Sequence, residues 1–373
     1  MKIVLAPDKY KGSLSSLEIC SIIKNTLSKY SDIEVVLLPL ADGGDGTVEV
    51  INYYLEGAYI ELQVHNPIFK PLKASYLYSK SSRTAFIELA EASGIKLLEK
   101  SDQNCRYTST YGTGELIKAA LDEEVDQIIF GLGGSATNDC GIGMANALGY
   151  KFLDSNNNEL KPIGDHLIKI HKIDDSQVDK RLSTVSFQIA CDVTNPLYGE
   201  RGAAKVYAKQ KGASDSDIQY LDSGLQHFSK VLDAHFNIQS QEISGAGAAG
   251  GMGAGAVAFL NGTLTPGIDL VKQIANFDAV VKDADWIISG EGLLDDQTLS
   301  GKAIDGVVKS ANELQIPVAV FCGGIDLNQD QLQAMGISYG ASILDKAKDL
   351  NDAMTNTKHY LELLVEEFAK KIG

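Results

Sequence analysis

Six short apolar runs recur along the chain, and each opens into a loop rich in glycine, acid or lysine. Ile3–Ala6 runs into PDKYKGS, Val35–Leu38 into PLADGGDGT, and Ile128–Phe130 into GLGGSATND. Phe187–Ala190 runs into CDVTNP, Trp286–Ile288 into SGEGLLDDQ, and Val318–Phe321 into CGGID. Short β-rich runs without strict alternation are the pattern of strands buried on both faces. Helical spacing follows several of them. Leu17, Cys20, Ile23 and Leu27 share one side behind a capping box of Ser15 and Glu18, and a second helix starts near Thr113 with Leu116, Ile117, Ala120 and Leu121. Alternating strands and helices predict a mainly parallel sheet with both faces covered. Ligands of such sheets bind beyond the carboxyl ends of the strands, where all six loops lie.

The stretch from about Ala58 to Ala90 follows another rule. Ile60, Leu62 and Val64 alternate with Tyr59, Glu61 and Gln63, and Ala85, Ile87 and Leu89 alternate again after Arg83. Period-2 patterning marks half-buried antiparallel strands. The expected fold is therefore two α/β domains. Residues 1–56 plus 262–373 form a discontinuous three-layer α/β domain with a mainly parallel sheet. Residues 57–261 form an inserted, partly antiparallel α/β domain, and the active site is expected in the cleft between them.

Composition narrows the function. Of 373 residues, 33 are Lys or Arg and 49 are Asp or Glu, a formal net charge of −16. Nucleic acid and anionic membrane surfaces attract basic proteins, so neither is expected as a partner. Five cysteines (Cys20, Cys105, Cys140, Cys191, Cys322) lie far apart without a C-x-x-C pair, the pattern of reduced thiols in the cytoplasm. MKIVLAPDKY enters an apolar strand at once, without a signal-peptide pattern, and no stretch reaches bilayer-spanning length. The 36 glycines cluster beside acidic residues, which points to anion sites lined by backbone amides.

The loops carry the candidate chemistry. In Gly131–Asp139, successive glycine amides, the Ser135 and Thr137 hydroxyls and a following helix N-terminus would cradle phosphate. A tight turn capped by Asn138 or Asp139 is the structural alternative. GAGAAGGMGAGA (Gly245–Ala256) contains G-x-G-x-x-G, but the upstream FNIQSQEIS is too polar for the strand a dinucleotide fingerprint requires. Close approach of backbone to a nucleotide, or close helix packing, fits it better. SGEGLLDDQTLSGK supplies Glu291 and Asp295 as Mg²⁺ ligands, or as acids complementing a helix start. Asp42 and Asp45 flank two glycines in ADGGDGT. Asp192 in CDVTNP ends a buried strand, where a lone carboxylate is costly unless paired or hydrogen-bonded, which favours a working role as base or metal ligand. Lys9 and Lys11 follow the first strand and suit a carboxylate or phosphate.

Other signatures fail. Ser338 in GISYG lacks the preceding strand of a nucleophile elbow, and Gly301-Lys302 lacks the upstream glycine of a Walker A loop. H-R-D, D-F-G and H-E-x-x-H are absent, and the six histidines include no metal-spaced pair in an acidic or cysteine context.

Taken in order, PDKYKGSLSS, ADGGDGT, YGTGELI, GLGGSATNDCGIGM, CDVTNPLYGERGAA, GAGAAGGMGAG and GEGLLDDQTLSGK closely resemble the type I glycerate kinase family, as does the linking segment AKQKGAS. The similarity runs over nearly the whole chain. Lys9 stands where relatives often carry serine, and Cys140 where glycine is frequent. The resemblance implies ATP- and Mg²⁺-dependent phosphorylation of D-glycerate, usually to 2-phosphoglycerate, by a cytoplasmic enzyme with the active site between its domains. Such phosphoryl transfer needs positioning and charge stabilisation more than covalent chemistry. The assignments expected on this basis are Asp192 as general base, with Asp8 and Lys11 completing the catalytic set. Lys9, Asp42, Asp45 and Asn195 would hold substrate. Gly133, Gly134, Ser135, Thr137, Asn138, Gly247, Gly250 and Gly251 would hold nucleotide, and Asp139, Glu291 and Asp295 the metal. Glycerate 3-kinase activity, a nicotinamide-dependent dehydrogenase using the GAGAAG loop, and a non-catalytic acid-binding protein remain as alternatives, and a homodimer stays open.

Overall fold

The computed structural model describes residues 1–30, 32–44, 46–295 and 303–372. Two compact units emerge: Met1–Tyr54 with Pro266–Gly373, and Leu55–Thr265. The chain thus leaves the first unit once and returns to it. No helix among the described residues is long and apolar enough to cross a membrane.

In chain order the strands of the two main sheets are β1 (Lys2–Leu5), β2 (Glu34–Leu37), β3 (Ala58–His65), β4 (Pro71–Ser79), β5 (Thr84–Glu88), β6 (Gln127–Gly131), β7 (Ser186–Ala190), β8 (Thr263–Thr265), β9 (Trp286–Ser289), β10 (Val318–Cys322) and β11 (Ile337–Ser342). The first unit holds a sheet ordered β11-β10-β9-β1-β2 with every pairing parallel. Ile3 and Leu5 enter a core with Ile19, Ile23, Ile288, Phe321, Leu364 and Phe368 beneath the helices Ser16–Leu27 and Thr357–Ile372. The capping box forms as expected: Ser15 Oγ accepts from the Glu18 amide, and Glu18 accepts from the Ser15 amide. Trp286, Phe321 and Phe368 meet edge-on at 5.1–5.7 Å between centroids. Phe321 and Phe368 are fully buried, each contributing roughly 1.5–3 kcal/mol, and Trp286 is partly buried. Because β2 lies on one side of β1 and β9 on the other, the strand order reverses between β1 and β9. That reversal is where a doubly wound sheet opens a crevice.

The second unit holds a sheet ordered β8-β7-β6-β5-β4-β3. The β3–β4 and β4–β5 pairs are antiparallel, as the alternating pattern predicts, and the β5–β6, β6–β7 and β7–β8 pairs are parallel. A 22-residue helix, Asp215–Phe236, starts at a Ser214–Asp217 capping box and buries Leu221, Leu225, Phe228 and Leu232. Phe228 packs against Phe152 in a core that also takes in Phe130 and Leu116.

Candidate active site

The loops after β1 and β9 are held together beyond the ends of their strands. The Ala6 amide donates to the Ile288 carbonyl at 2.7 Å, and the Asp8 amide to the Gly290 carbonyl at 2.9 Å. The Tyr10 hydroxyl donates to the Phe321 carbonyl at 2.7 Å, fastening the β1 loop to β10. Glycine is obligatory in this weave: a Cβ at Gly290 would collide with the Phe321 carbonyl, and one at Gly323 with that of Gly292.

Around these loops lies a cavity of about 820 Å³ lined by Asp8, Lys9, Lys11, Asp42, Glu291 and Asp295, with Leu293, Leu344, Leu350 and Met354 along one wall. Asp8 is only 5% exposed. Burial pushes its carboxyl up to about 7; Lys9 opposes the shift, and the charges of Asp42 and Glu291 reinforce it. Its Oδ1 accepts the Lys9 amide at 2.7 Å, while Lys9 Nζ stands 3.9 Å from Asp8 Oδ1 and 3.6 Å from Asp42 Oδ1. Those separations exceed hydrogen-bond range, so the ammonium attracts both carboxylates and retains its donors for another group. Glu291 is also buried, and Lys11 is exposed at the rim. Six residues singled out in the sequence therefore meet in one place. Asp45 lies outside the described residues.

Glu291 and Asp295 suit a magnesium ion, which takes one or two carboxylates and shares its remaining positions with water and phosphate. Among the described residues no three His, Cys, Asp or Glu side chains form a ready-made metal cage.

The second unit assigns several expected ligands to other work. Asp139 was expected at a metal, yet it is fully buried and accepts from the Thr110 amide and hydroxyl, both at 2.8 Å, and from the amides of Gly141 and Gly143 at 3.2 Å. Burial raises its carboxyl, and those four donors oppose the rise. The helix start expected to bind phosphate is therefore filled by the chain's own carboxylate. Gly247, Gly250 and Gly251 are buried, and a Cβ at Gly250 would strike the Thr137 carbonyl, so close backbone packing gives these glycines a structural reason of their own. Ahead of Gly245 stands the short 3-10 helix Ser240–Glu242 where a dinucleotide fold needs a strand, which removes the dehydrogenase reading. Asn195 donates its amide to the Arg201 carbonyl at 2.8 Å and accepts from the Tyr207 hydroxyl at 2.7 Å, so it braces its own loop. Asp192 sits two residues beyond β7 and is exposed, contrary to the burial expected of it.

The loop after β6 keeps some binding features. Gly133 and Gly134 are exposed, and the space beside Gly133 is open. Thr137 Oγ1 and both amide atoms of Asn138 are buried without a hydrogen-bond partner, a condition that native structures seldom leave without a reason. Beneath them Lys211, 5% exposed, donates to Ser135 Oγ at 2.6 Å and to the Thr137 carbonyl at 2.8 Å. Burial lowers its ammonium to about 8, with Cys105 and Asp139 opposing. Sequence reasoning missed Lys211, because no periodicity distinguishes it within AKQKGAS; its place in a segment carrying the family resemblance was the available signal.

A family model described as the glycerate kinase family matches residues 3–373. The glycerate kinase of Halalkalibacterium halodurans is 42% identical over 98% of this chain and 97% of its own. The glycerate 2-kinase of Escherichia coli is 40% identical over 95% of this chain and 93% of its own. A crystal structure of a glycerate kinase 2 from Salmonella typhimurium LT2 superposes with a TM-score of 0.89 at 38% identity, covering 100% of this chain and 98% of that one.

Proposed function

The chain belongs to the glycerate kinase family, and from that premise we propose that it transfers the γ-phosphoryl group of ATP to the 2-hydroxyl of D-glycerate in the cavity of the first unit. Asp8 carries the reading. It is a shielded carboxyl brought to about 7, beside Lys9, at the strand-order reversal of a parallel sheet. A base whose pKa lies near working pH combines a useful deprotonated fraction with enough driving force to accept a hydroxyl proton. This gives Asp8 the role first expected of Asp192, which is exposed where Asp8 is buried.

In this scheme the glycerate hydroxyl gives its proton to Asp8 while its oxygen attacks the γ-phosphorus. One P–O bond forms, the bond to the β-phosphate breaks, and ADP leaves. Lys9 and Lys11 attract the transferring group and the glycerate carboxylate. Glu291 and Asp295 would hold magnesium, which when bound neutralises phosphate charge. The E. coli relative's name supports the 2-hydroxyl as acceptor. The need for ATP makes the cytoplasm the proposed compartment, where the five unbridged thiols would stay reduced.

The test is purified protein with ATP, Mg²⁺ and D-glycerate, followed by ³¹P NMR. The expected outcome is ADP with 2-phosphoglycerate. 3-Phosphoglycerate would overturn the regiochemistry, and no glycerate-dependent turnover would overturn the activity.

A further inference from the structure

The cavity has two chemically different sides, and glycerate explains one of them. Four of the eleven large hydrophobic side chains left exposed among the described residues line it: Leu293 at 48%, Leu344 at 38%, Leu350 at 63% and Met354 at 46%. They come from separate places in the chain. Leu293 follows β9, Leu344 follows β11, and Leu350 and Met354 occupy one face of the helix Leu350–Thr355 by their four-residue spacing. Their convergence makes an apolar patch that a water-soluble surface normally avoids unless something covers it.

Glycerate cannot cover it, because each of its three carbons bears oxygen. At about 820 Å³ the cavity also falls in the range that houses whole drug-sized ligands. The opposite side carries Lys9, Lys11 and the carboxylates suited to a metal-bound polyphosphate. A nucleoside triphosphate has that polarity, with a flat apolar face at one end and an anionic tail at the other.

We propose that the wall formed by Leu293, Leu344, Leu350 and Met354 receives the nucleobase of the phosphoryl donor. The proposal rests on the kinase reading above and adds a base subsite in the first unit. This moves nucleotide recognition away from the buried glycines of Gly245–Ala256 and onto side chains that no motif marked.

The test compares wild type with the double variant L350Q/M354Q; both positions are exposed, and glutamine is helix-compatible and uncharged. Titration calorimetry measures ADP and inorganic tripolyphosphate, which shares the tail but has no base. The expected result is an ADP Kd raised at least tenfold, with the tripolyphosphate Kd and the KM for glycerate within about twofold of wild type. An unchanged ADP Kd overturns the proposal. So does loss of self-association in the variant with ADP affinity intact, which would assign the wall to a second copy of the chain. An inactive wild type whose ADP affinity still depends on this wall would discard the kinase reading and keep the base subsite.

Discussion

Replacing Asp8 with asparagine separates catalysis from stability, because the two effects point in opposite directions. Asparagine keeps the shape and can still accept the Lys9 amide now bonded to Oδ1 at 2.7 Å. It cannot take a proton from substrate, so kcat should fall by ~10²–10⁴, the range for a lost general base. Stability should rise. Burial moves the carboxyl from 3.8 to about 7, so the folded state holds the proton more tightly than the unfolded chain. Stability is then lost as pH climbs from about 4 to about 7, and above that the full penalty applies, up to ~4 kcal/mol. The variant lacks this titration. Its melting temperature should match wild type near pH 4 and exceed it at pH 8, while glycerate-dependent ADP release, followed by a coupled assay, nearly disappears. Wild-type kcat/KM for glycerate, which reports the free enzyme, should itself rise with pH through about 7. An Asp8→Asn enzyme within a few-fold of wild-type turnover would refute the reasoning.

Three further substitutions test the rest of the assignment. Asp192→Asn should leave kcat within ~10-fold of wild type, and a fall of ~10²–10⁴ would return the base role to it. Gly250→Ala places a Cβ against the Thr137 carbonyl at a φ of +74°; urea denaturation should show ~2–5 kcal/mol lost, and a loss under ~1 kcal/mol would contradict the packing argument. Lys211→Met removes an ammonium that folding lowers from 10.5 to about 8. Wild type therefore gains stability as pH rises from about 8 to about 10.5, by up to ~3 kcal/mol relative to the variant, and a flat difference between their denaturation curves would dispute that burial.

The parallel strands were legible because burial on both faces leaves runs of Ile, Val and Phe that helical spacing does not explain. The antiparallel β3–β4–β5 segment was legible from its alternation. Asp8, Lys9 and Glu291 were visible because they follow such runs directly. Glycine was the harder residue to read. At Gly133 the missing side chain leaves open space, whereas at Gly250 and Gly255 it admits the backbone of Thr137 and Cys140. Both uses look alike in one dimension. Asp139 illustrates the same limit, since its four donors come from Thr110 and from residues two and four positions ahead, and only the fold brings Thr110 to it. The apolar wall was invisible because Leu293, Leu344 and Leu350 belong to separate elements with no shared period.

The most direct measurement is a crystal structure with Mg²⁺, a non-hydrolysable ATP analogue and D-glycerate bound together. The account predicts the glycerate 2-hydroxyl within ~2.6–3.2 Å of an Asp8 oxygen, in the geometry of a proton acceptor. Substrate bound with Asp8 out of reach, and another carboxylate at its hydroxyl, would contradict it.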